Sequence, residues 1–226
     1  MLILTKSVLS IMIAFILSVC FGIIILPILR KLKADQRLSI YLEEDHKQKK
    51  GTPTMGGFIF IIPTIITIIV LLLTKKIDFS TNLFIILFVF VAYALLGFID
   101  DFLIIKRRNN NGLTEIQKLF GQLVIALVFF YLFMKTGREP ELHIYTLGIR
   151  INMHWFYGLF ILFVLVASSN AVNITDGLDG LAGGLSLIVF LSLGLISWNA
   201  TAIPGYQDIA IFCFILVGSL LGFLFF

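Results

Sequence analysis

Charged side chains are scarce in this 226-residue chain: Asp, Glu, Lys and Arg make up 13% of it, about half the share of a soluble domain. That scarcity excludes an ordinary water-exposed surface over most of the molecule. Cysteine is nearly missing as well. Cys20 and Cys213 both sit inside apolar runs, which excludes a disulfide framework or a cysteine metal site and leaves them as small packing residues. No Walker-type glycine loop, zinc-ligand spacing or Ser/His pairing occurs anywhere, so nucleotide hydrolysis of the P-loop kind and triad chemistry have no foothold. The net charge of +4 arises mainly in the loops, where it speaks to membrane orientation more than to nucleic acid.

What the chain has in abundance is apolar length. It is 59% hydrophobic with 23 phenylalanines and a mean hydropathy of +1.06, the composition of an integral membrane protein. Crossing a bilayer takes about 20 apolar residues per helix. Seven runs approach that length: 8–29, 57–73, 82–99, 117–134, 155–169, 183–198 and 208–226. The first is too long for a signal-peptide core and lacks a small-residue cleavage site, so it reads as a retained helix. Pro63 is expected to kink the second. The expected fold is all-α, a polytopic transmembrane bundle of about seven spans. Between the fourth and fifth runs, His143-Ile-Tyr-Thr-Leu-Gly-Ile-Arg-Ile-Asn152 alternates around Leu147-Gly148, the pattern of a small external β-hairpin. His143 and His154 lie there, away from the acidic segments, and read as surface residues.

Lys and Arg in the loops give the orientation. Eleven fall in segments 30–56 and 100–118 and six on the opposite side, so the amino terminus is expected outside. Segment 170–184 then also faces the cytoplasm, and all three polar loops meet on one membrane face.

Those loops carry the chemistry. Asn170-Ala-Val-Asn-Ile-Thr-Asp-Gly-Leu-Asp-Gly-Leu-Ala-Gly-Gly184 interrupts the apolar second half. If it is helical, Asn173, Asp176 and Asp179 share one face, an amide and two carboxylates suited to Mg²⁺ or to a base and ribose. Asp45-His-Lys-Gln-Lys-Lys-Gly-Thr-Pro-Thr-Met-Gly-Gly57 sets lysines ahead of a turn that opens a helix, an anion-binding arrangement. Gly97-Phe-Ile-Asp-Asp-Phe102 puts adjacent carboxylates at the end of an apolar span, where they are costly unless paired or metal-bound. Carboxylates for a metal, lysines for phosphates and glycines for close approach suit metal-assisted phosphoryl transfer.

Lys49-Lys-Gly-Thr-Pro-Thr-Met-Gly-Gly57, Gly97-Phe-Ile-Asp-Asp-Phe102, Gly112-Leu-Thr-Glu-Ile-Gln-Lys118 and Asn170-Ala-Val-Asn-Ile-Thr-Asp-Gly-Leu-Asp-Gly180 resemble the polyprenyl-phosphate N-acetylhexosamine-1-phosphate transferase superfamily. Within it they are most similar to the phospho-N-acetylmuramoyl-pentapeptide transferase branch. The resemblance implies one integral-membrane transferase domain over 1–226 in a bacterial plasma membrane, its active site facing the cytoplasm. The implied reaction moves phospho-N-acetylmuramoyl-pentapeptide from UDP-MurNAc-pentapeptide to undecaprenyl phosphate with Mg²⁺ as cofactor, giving a lipid-linked peptidoglycan precursor and UMP. It involves no nucleic acid and leaves a homodimer as one possible assembly. Position by position, Asp100 and Asp101 match the acidic pair engaging metal and lipid phosphate. Asn173, Asp176 and Asp179 match the motif that contacts the nucleotide and shapes the catalytic centre, with Gly177 between them. Lys50, Thr52, Thr54 and Lys118 fall on the substrate-binding set. Two departures stand out. Ile104 occupies a position where the family often has lysine, and the family continues past the point matching Phe226 with three more helices, an aspartate that ligates Mg²⁺ and a histidine-rich loop. The expectation is of a transferase lacking its carboxyl-terminal third. The other readings are a sister enzyme that moves N-acetylglucosamine-1-phosphate, a non-catalytic remnant, and a channel. The channel would need carboxylates at mid-bilayer, whereas Asp100, Asp101, Asp176 and Asp179 all fall at span ends.

Overall fold

A computed structural model describes residues 2–31, 54–107, 112–137, 139–144, 146–200 and 205–226. Its elements are α1 (Leu2–Lys31), α2 (Phe58–Leu73), α3 (Thr81–Arg107), α4 (Glu115–Lys135), β1 (Glu141–Ile144), β2 (Ile149–Asn152), α5 (Phe156–Thr175), α6 (Leu181–Asn199) and α7 (Tyr206–Phe223). Helices suit these runs because lipid offers no partner for a backbone N–H or C=O, and a helix satisfies them within the segment. All but α2 are long and apolar enough to cross a membrane. The expected second span is short: at 16 residues and about 1.5 Å per residue, α2 falls below the thickness of a hydrocarbon core.

α7 is the centre of the packing. It lies against α1, α2 and α6 and touches α3, and Ala210–Leu220 is almost continuously buried. Small residues permit the tightest of these contacts. Ser7, Ser10, Ala14 and Ser18 form a buried stripe on α1. A Cβ at Gly218 would overlap the Ile11 carbonyl, and one at Gly222 would come within 2.6 Å of the Ser18 Cβ. A second row is formed by α3, α4 and α5, each packed on the next.

α2 runs through Pro63 without interruption. The proline has no N–H, so the Ile59 carbonyl one turn earlier loses its helical donor. Ser18 Oγ of α1 lies 2.8 Å from that carbonyl and 2.8 Å from the Ser219 carbonyl of α7, so one hydroxyl proton is shared where three helices meet. Thr64 Oγ1 is 2.9 Å from Ser219 Oγ in the same knot.

The hairpin forms as expected, with Gly148 in the left-handed region at φ 63°. Its register pairs Leu142 with Ile151 and Ile144 with Ile149 on one face, and Glu141 with Asn152 and His143 with Arg150 on the other. His143 Nε2 and Glu141 Oε2 are 2.8 Å apart. The hairpin joins α4 to α5 at the end remote from the acidic pair, so the turn at 54–57, the acidic pair and the turn at 176–180 lie toward the opposite end of the bundle.

Candidate active site

α3 does not stop at the acidic pair, as the apolar run to residue 99 implies, but continues to Arg107. Neighbouring residues on a helix point about 100° apart, so Asp100 and Asp101 address different partners. Asp101 Oδ2 accepts the Met55 N–H at 3.0 Å, tying α3 to the turn that opens α2. Met55 adopts φ 68°, a left-handed conformation that costs a non-glycine residue on the order of 1 kcal/mol; its bond to Asp101 holds it there. Asp100 turns to the other side. Its Oδ1 accepts the Leu113 N–H at 2.6 Å, and its Oδ2 lies 3.1 Å from Lys118 Nζ.

The entry into α4 is built to make that pairing. A Cβ at Gly112 would overlap Asp100 Oδ1, so only glycine brings the chain this close. Arg107 Nη1 donates to the Gly112 carbonyl at 3.0 Å. Thr114 and Gln117 then form a reciprocal capping box, which fixes the first turn and so the direction in which Lys118 leaves it. Thr114→Ala removes one half of this box and should lower stability by about 1 kcal/mol, read as an earlier thermal unfolding midpoint in detergent. An unchanged midpoint would mean that Asp100 alone positions the loop.

One turn after Lys118, buried Gln122 reaches across to α5. Gln122 Nε2 donates to Ser169 Oγ at 3.2 Å, and Asn170 Nδ2 donates to Gln122 Oε1 at 3.3 Å. A single face of α4 therefore holds both the acidic end of α3 and the polar end of α5.

α5 ends at Thr175, with Asp176 as its C-cap. This overturns the shared face expected for Asn173, Asp176 and Asp179: the chain leaves the helix at Asp176, and Gly180 turns it at φ 77° into α6. A glycine-rich stretch releases the backbone more cheaply than it continues a helix. Asn173 stays on α5, while Asp176, Gly177 and Asp179 lie on the exposed turn. Asp100, Asp176 and Lys118 are the charges near enough to act on Asp101. Thr54 is buried, and its Oγ1 has no hydrogen-bond partner among the described residues. Lys50 and Thr52 fall outside the described residues.

These helices enclose a cavity of about 600 Å³ whose lining includes Phe58, Phe60, Phe90, Phe98 and Phe190 along its body, with Asp100, Asp101, Ser168, Ser169 and Asn173 in its polar part. A recess of about 120 Å³ adjoins it, lined among others by Tyr93, Lys118, Gln122 and Asn170. Of the residues expected from sequence, Asp100, Asp101, Lys118 and Asn173 meet here. Asp176, Gly177 and Asp179 line neither space. Tyr93, Gln122, Ser169 and Asn170 went unmarked among the expected site residues, although a glutamine inside an apolar run is itself a signal.

No three His, Cys, Asp or Glu side chains among the described residues cluster as a metal cage. Mg²⁺ does not need one, since it is commonly held by one or two carboxylates with waters and substrate phosphates. The donor set fits that mode. Asp100 and Asp101 both line the cavity, but Asp100 already uses both oxygens on Leu113 and Lys118.

Residues 83–226 match glycosyl transferase family 4. The phospho-N-acetylmuramoyl-pentapeptide-transferase of Oceanobacillus iheyensis is 38% identical over 223 residues, covering 99% of this chain and 68% of the relative. The chain belongs to that transferase family. Proteins of the same name from Geobacillus sp. (strain WCH70) and Bacillus subtilis (strain 168) are 42% and 39% identical, over 97% and 96% of this chain. The chain spans 66% and 65% of their lengths. The family resemblance carried by the four polar segments is thus met along almost the whole chain.

Proposed function

We propose that this protein transfers phospho-N-acetylmuramoyl-pentapeptide from its UDP carrier to undecaprenyl phosphate at the cytoplasmic face of a bacterial plasma membrane. The observation that carries the reading is the cavity: an apolar body lined by phenylalanines, with carboxylates, hydroxyls and an amide in its polar part. A lipid phosphate and a soluble nucleotide sugar must meet at such a boundary. In the proposed step, an oxygen of the lipid phosphate attacks the sugar-linked phosphorus of the UDP diphosphate. The new P–O bond forms as the bond to UMP breaks.

The chain's own groups position and neutralise. Lys118, held by Asp100, supplies fixed positive charge beside the phosphates. Asn173 and the exposed turn bearing Asp176, Gly177 and Asp179 offer hydrogen-bond partners to the nucleotide, and Thr54 at the turn that opens α2 offers a further hydroxyl. Asp101 would hold Mg²⁺, beside Asp100 and Asp176. When bound, that ion would offset the charge of the diphosphate.

The test is release of UMP from UDP-MurNAc-pentapeptide by the purified 226-residue chain in detergent. Release should require both Mg²⁺ and undecaprenyl phosphate. Lipid-linked product formed equally well from UDP-N-acetylglucosamine would assign the chain to the sister reaction, and nucleotide binding without product would make it a binding protein. The orientation has its own check. Cysteines introduced at Arg107 and Leu147 should label from opposite sides in intact cells, Leu147 from outside; labelling from one side would overturn the topology.

A further inference from the structure

The hairpin between α4 and α5 has two unlike faces. Leu142, Ile144, Ile149 and Ile151 share one, and Glu141, His143, Arg150 and Asn152 share the other. A lone two-stranded hairpin is marginal in water and needs something against its apolar side. The helices leave that side open. β1 and β2 pack chiefly on each other rather than on a helix, and Ile149 and Ile151 are 44% and 45% exposed.

The tethers fix the level at which that face lies. α4 ends at Lys135 and α5 starts at Phe156, and both helices are long and apolar enough to cross a membrane. Only residues 136–140 and 153–155 join them to the strands. The Met153 N–H donates to the Pro140 carbonyl at 2.9 Å, which draws even this short slack together. Residues that favour the membrane–water boundary mark the same level. Trp155 and Phe156 stack with ring centroids 4.0 Å apart, both exposed. Lys135 Nζ lies 5.5 Å from the centre of the exposed Tyr131 ring, the posture of a lysine lifting its charge out of hydrocarbon. Through Trp155 and Phe156 the apolar side of the hairpin joins the outward apolar surface of α4 and α5, which carries Leu127, Met134, Leu159 and Phe163. The polar side suits water. His143 and Glu141 are paired on it, and the hydrogen bond from His143 is the first cause holding the Glu141 carboxyl below its usual range. A carboxylate kept ionised is a poor neighbour for lipid.

We infer that the hairpin is a lipid-binding element lying flat on the bilayer surface, with Leu142, Ile144, Ile149 and Ile151 seated among headgroups and upper acyl chains and Glu141, His143 and Arg150 in water. The occupant of the apolar side is lipid, because that side continues a surface that two membrane-spanning helices already present to lipid. Arg150 and Lys135 beside it favour anionic headgroups. The seat also sets a depth. α4 has 21 residues and so spans about 31 Å, close to the thickness of a hydrocarbon core. A hairpin held at one boundary therefore keeps Lys118, in the first turn of α4, at the other. This depends on the membrane-spanning helices alone and holds whichever reaction the acidic end performs.

The test uses the whole chain in vesicles of phosphatidylcholine and phosphatidylglycerol, with Cys20 and Cys213 replaced by alanine. Arg150 and Ile151 are neighbours on opposite faces, so a nitroxide on a cysteine at each reads the two sides separately. At Ile151 the label should collide with oxygen, which concentrates in lipid; at Arg150 it should collide with a water-soluble nickel chelate. The oxygen-to-nickel collision ratio should be severalfold higher at Ile151. Equal nickel access at both positions would put the hairpin in water and overturn the inference. Shielding of Ile151 from both reagents would mean that protein covers the face and would overturn it too, with spin–spin broadening lost on dilution by unlabelled chain identifying a second copy. A second measurement needs no label. Ile149→Ser should speed hydrogen exchange of the hairpin amides in vesicles about tenfold, the scale of one half-buried aliphatic side chain, whereas Arg150→Gln should leave it nearly unchanged. Exchange in Ile149→Ser no faster than in wild type would show that the apolar face has no seat in lipid.

Discussion

Asp101→Asn lowers UMP release by about 10²-fold or more, the scale on which a positioned charge acts in catalysis. The substitution separates two roles that the geometry combines. Asparagine keeps a carbonyl oxygen for the Met55 N–H, which Asp101 Oδ2 now accepts at 3.0 Å, so the turn at the head of α2 and its left-handed residue stay in place. What is lost is the negative charge facing the cavity. Titrating Mg²⁺ against wild type and variant gives the measurement, with the thermal midpoint as a control for folding. Turnover within a fewfold of wild type at saturating Mg²⁺ would reduce Asp101 to an anchor for Met55. The same change at Asp100 should act differently. It leaves a carbonyl oxygen for the Leu113 N–H but sets an amide NH2 against the Lys118 ammonium, so stability falls along with rate.

Gly218→Val should prevent the bundle from closing. A Cβ there overlaps the Ile11 carbonyl and approaches the Ala14 Cβ at 3.0 Å, and neither a backbone oxygen nor a methyl attached to backbone can rotate away. α1 and α7 would have to separate along the seam where their backbones come closest. In lipid, close packing is the main attraction between helices, so the expected cost is about 3 kcal/mol or more. It would be read as a lost monodisperse peak or a much lower unfolding midpoint in detergent. Gly184→Ala is the control, because a Cβ at Gly184 meets nothing within 4 Å. Equal behaviour of the two variants would mean that the seam does not hold the fold.

The sequence made the bundle legible because lipid leaves a chain few choices. The apolar runs became helices with ends displaced by up to about two turns, as at Asp101, where α3 continues to Arg107. Hydropathy sees where apolar residues stop, whereas a helix stops where its backbone finds other partners. The hairpin was legible from alternation and one glycine. The acidic pair, Lys118 and Asn173 were legible by residue type and motif, and the structure gathers them. The common face of Asn173, Asp176 and Asp179 was not, because spacing predicts a face only while the helix lasts and α5 ends at Thr175. Tyr93 and Gln122 escaped for a different reason. Each is a single amphipathic residue in an apolar run, and its importance depends on partners from other helices. The α1 stripe was hidden in the same way, since serines in a lipid-embedded helix gain meaning only from the glycines of α7.

That stripe sets the order in which the molecule can be assembled. The hydroxyl that satisfies the carbonyl freed by Pro63 also reaches the Ser219 carbonyl, a partner 201 residues further along the chain. During synthesis α1 and α2 therefore enter the membrane long before α7 exists, with the buried side of α1 facing lipid or a temporary neighbour. The acidic pair can be correctly placed on α3 while the bundle beside it is still open. A chain arrested before Gly218 should thus be inserted yet unfinished, a target for membrane quality control rather than a slower version of the same protein.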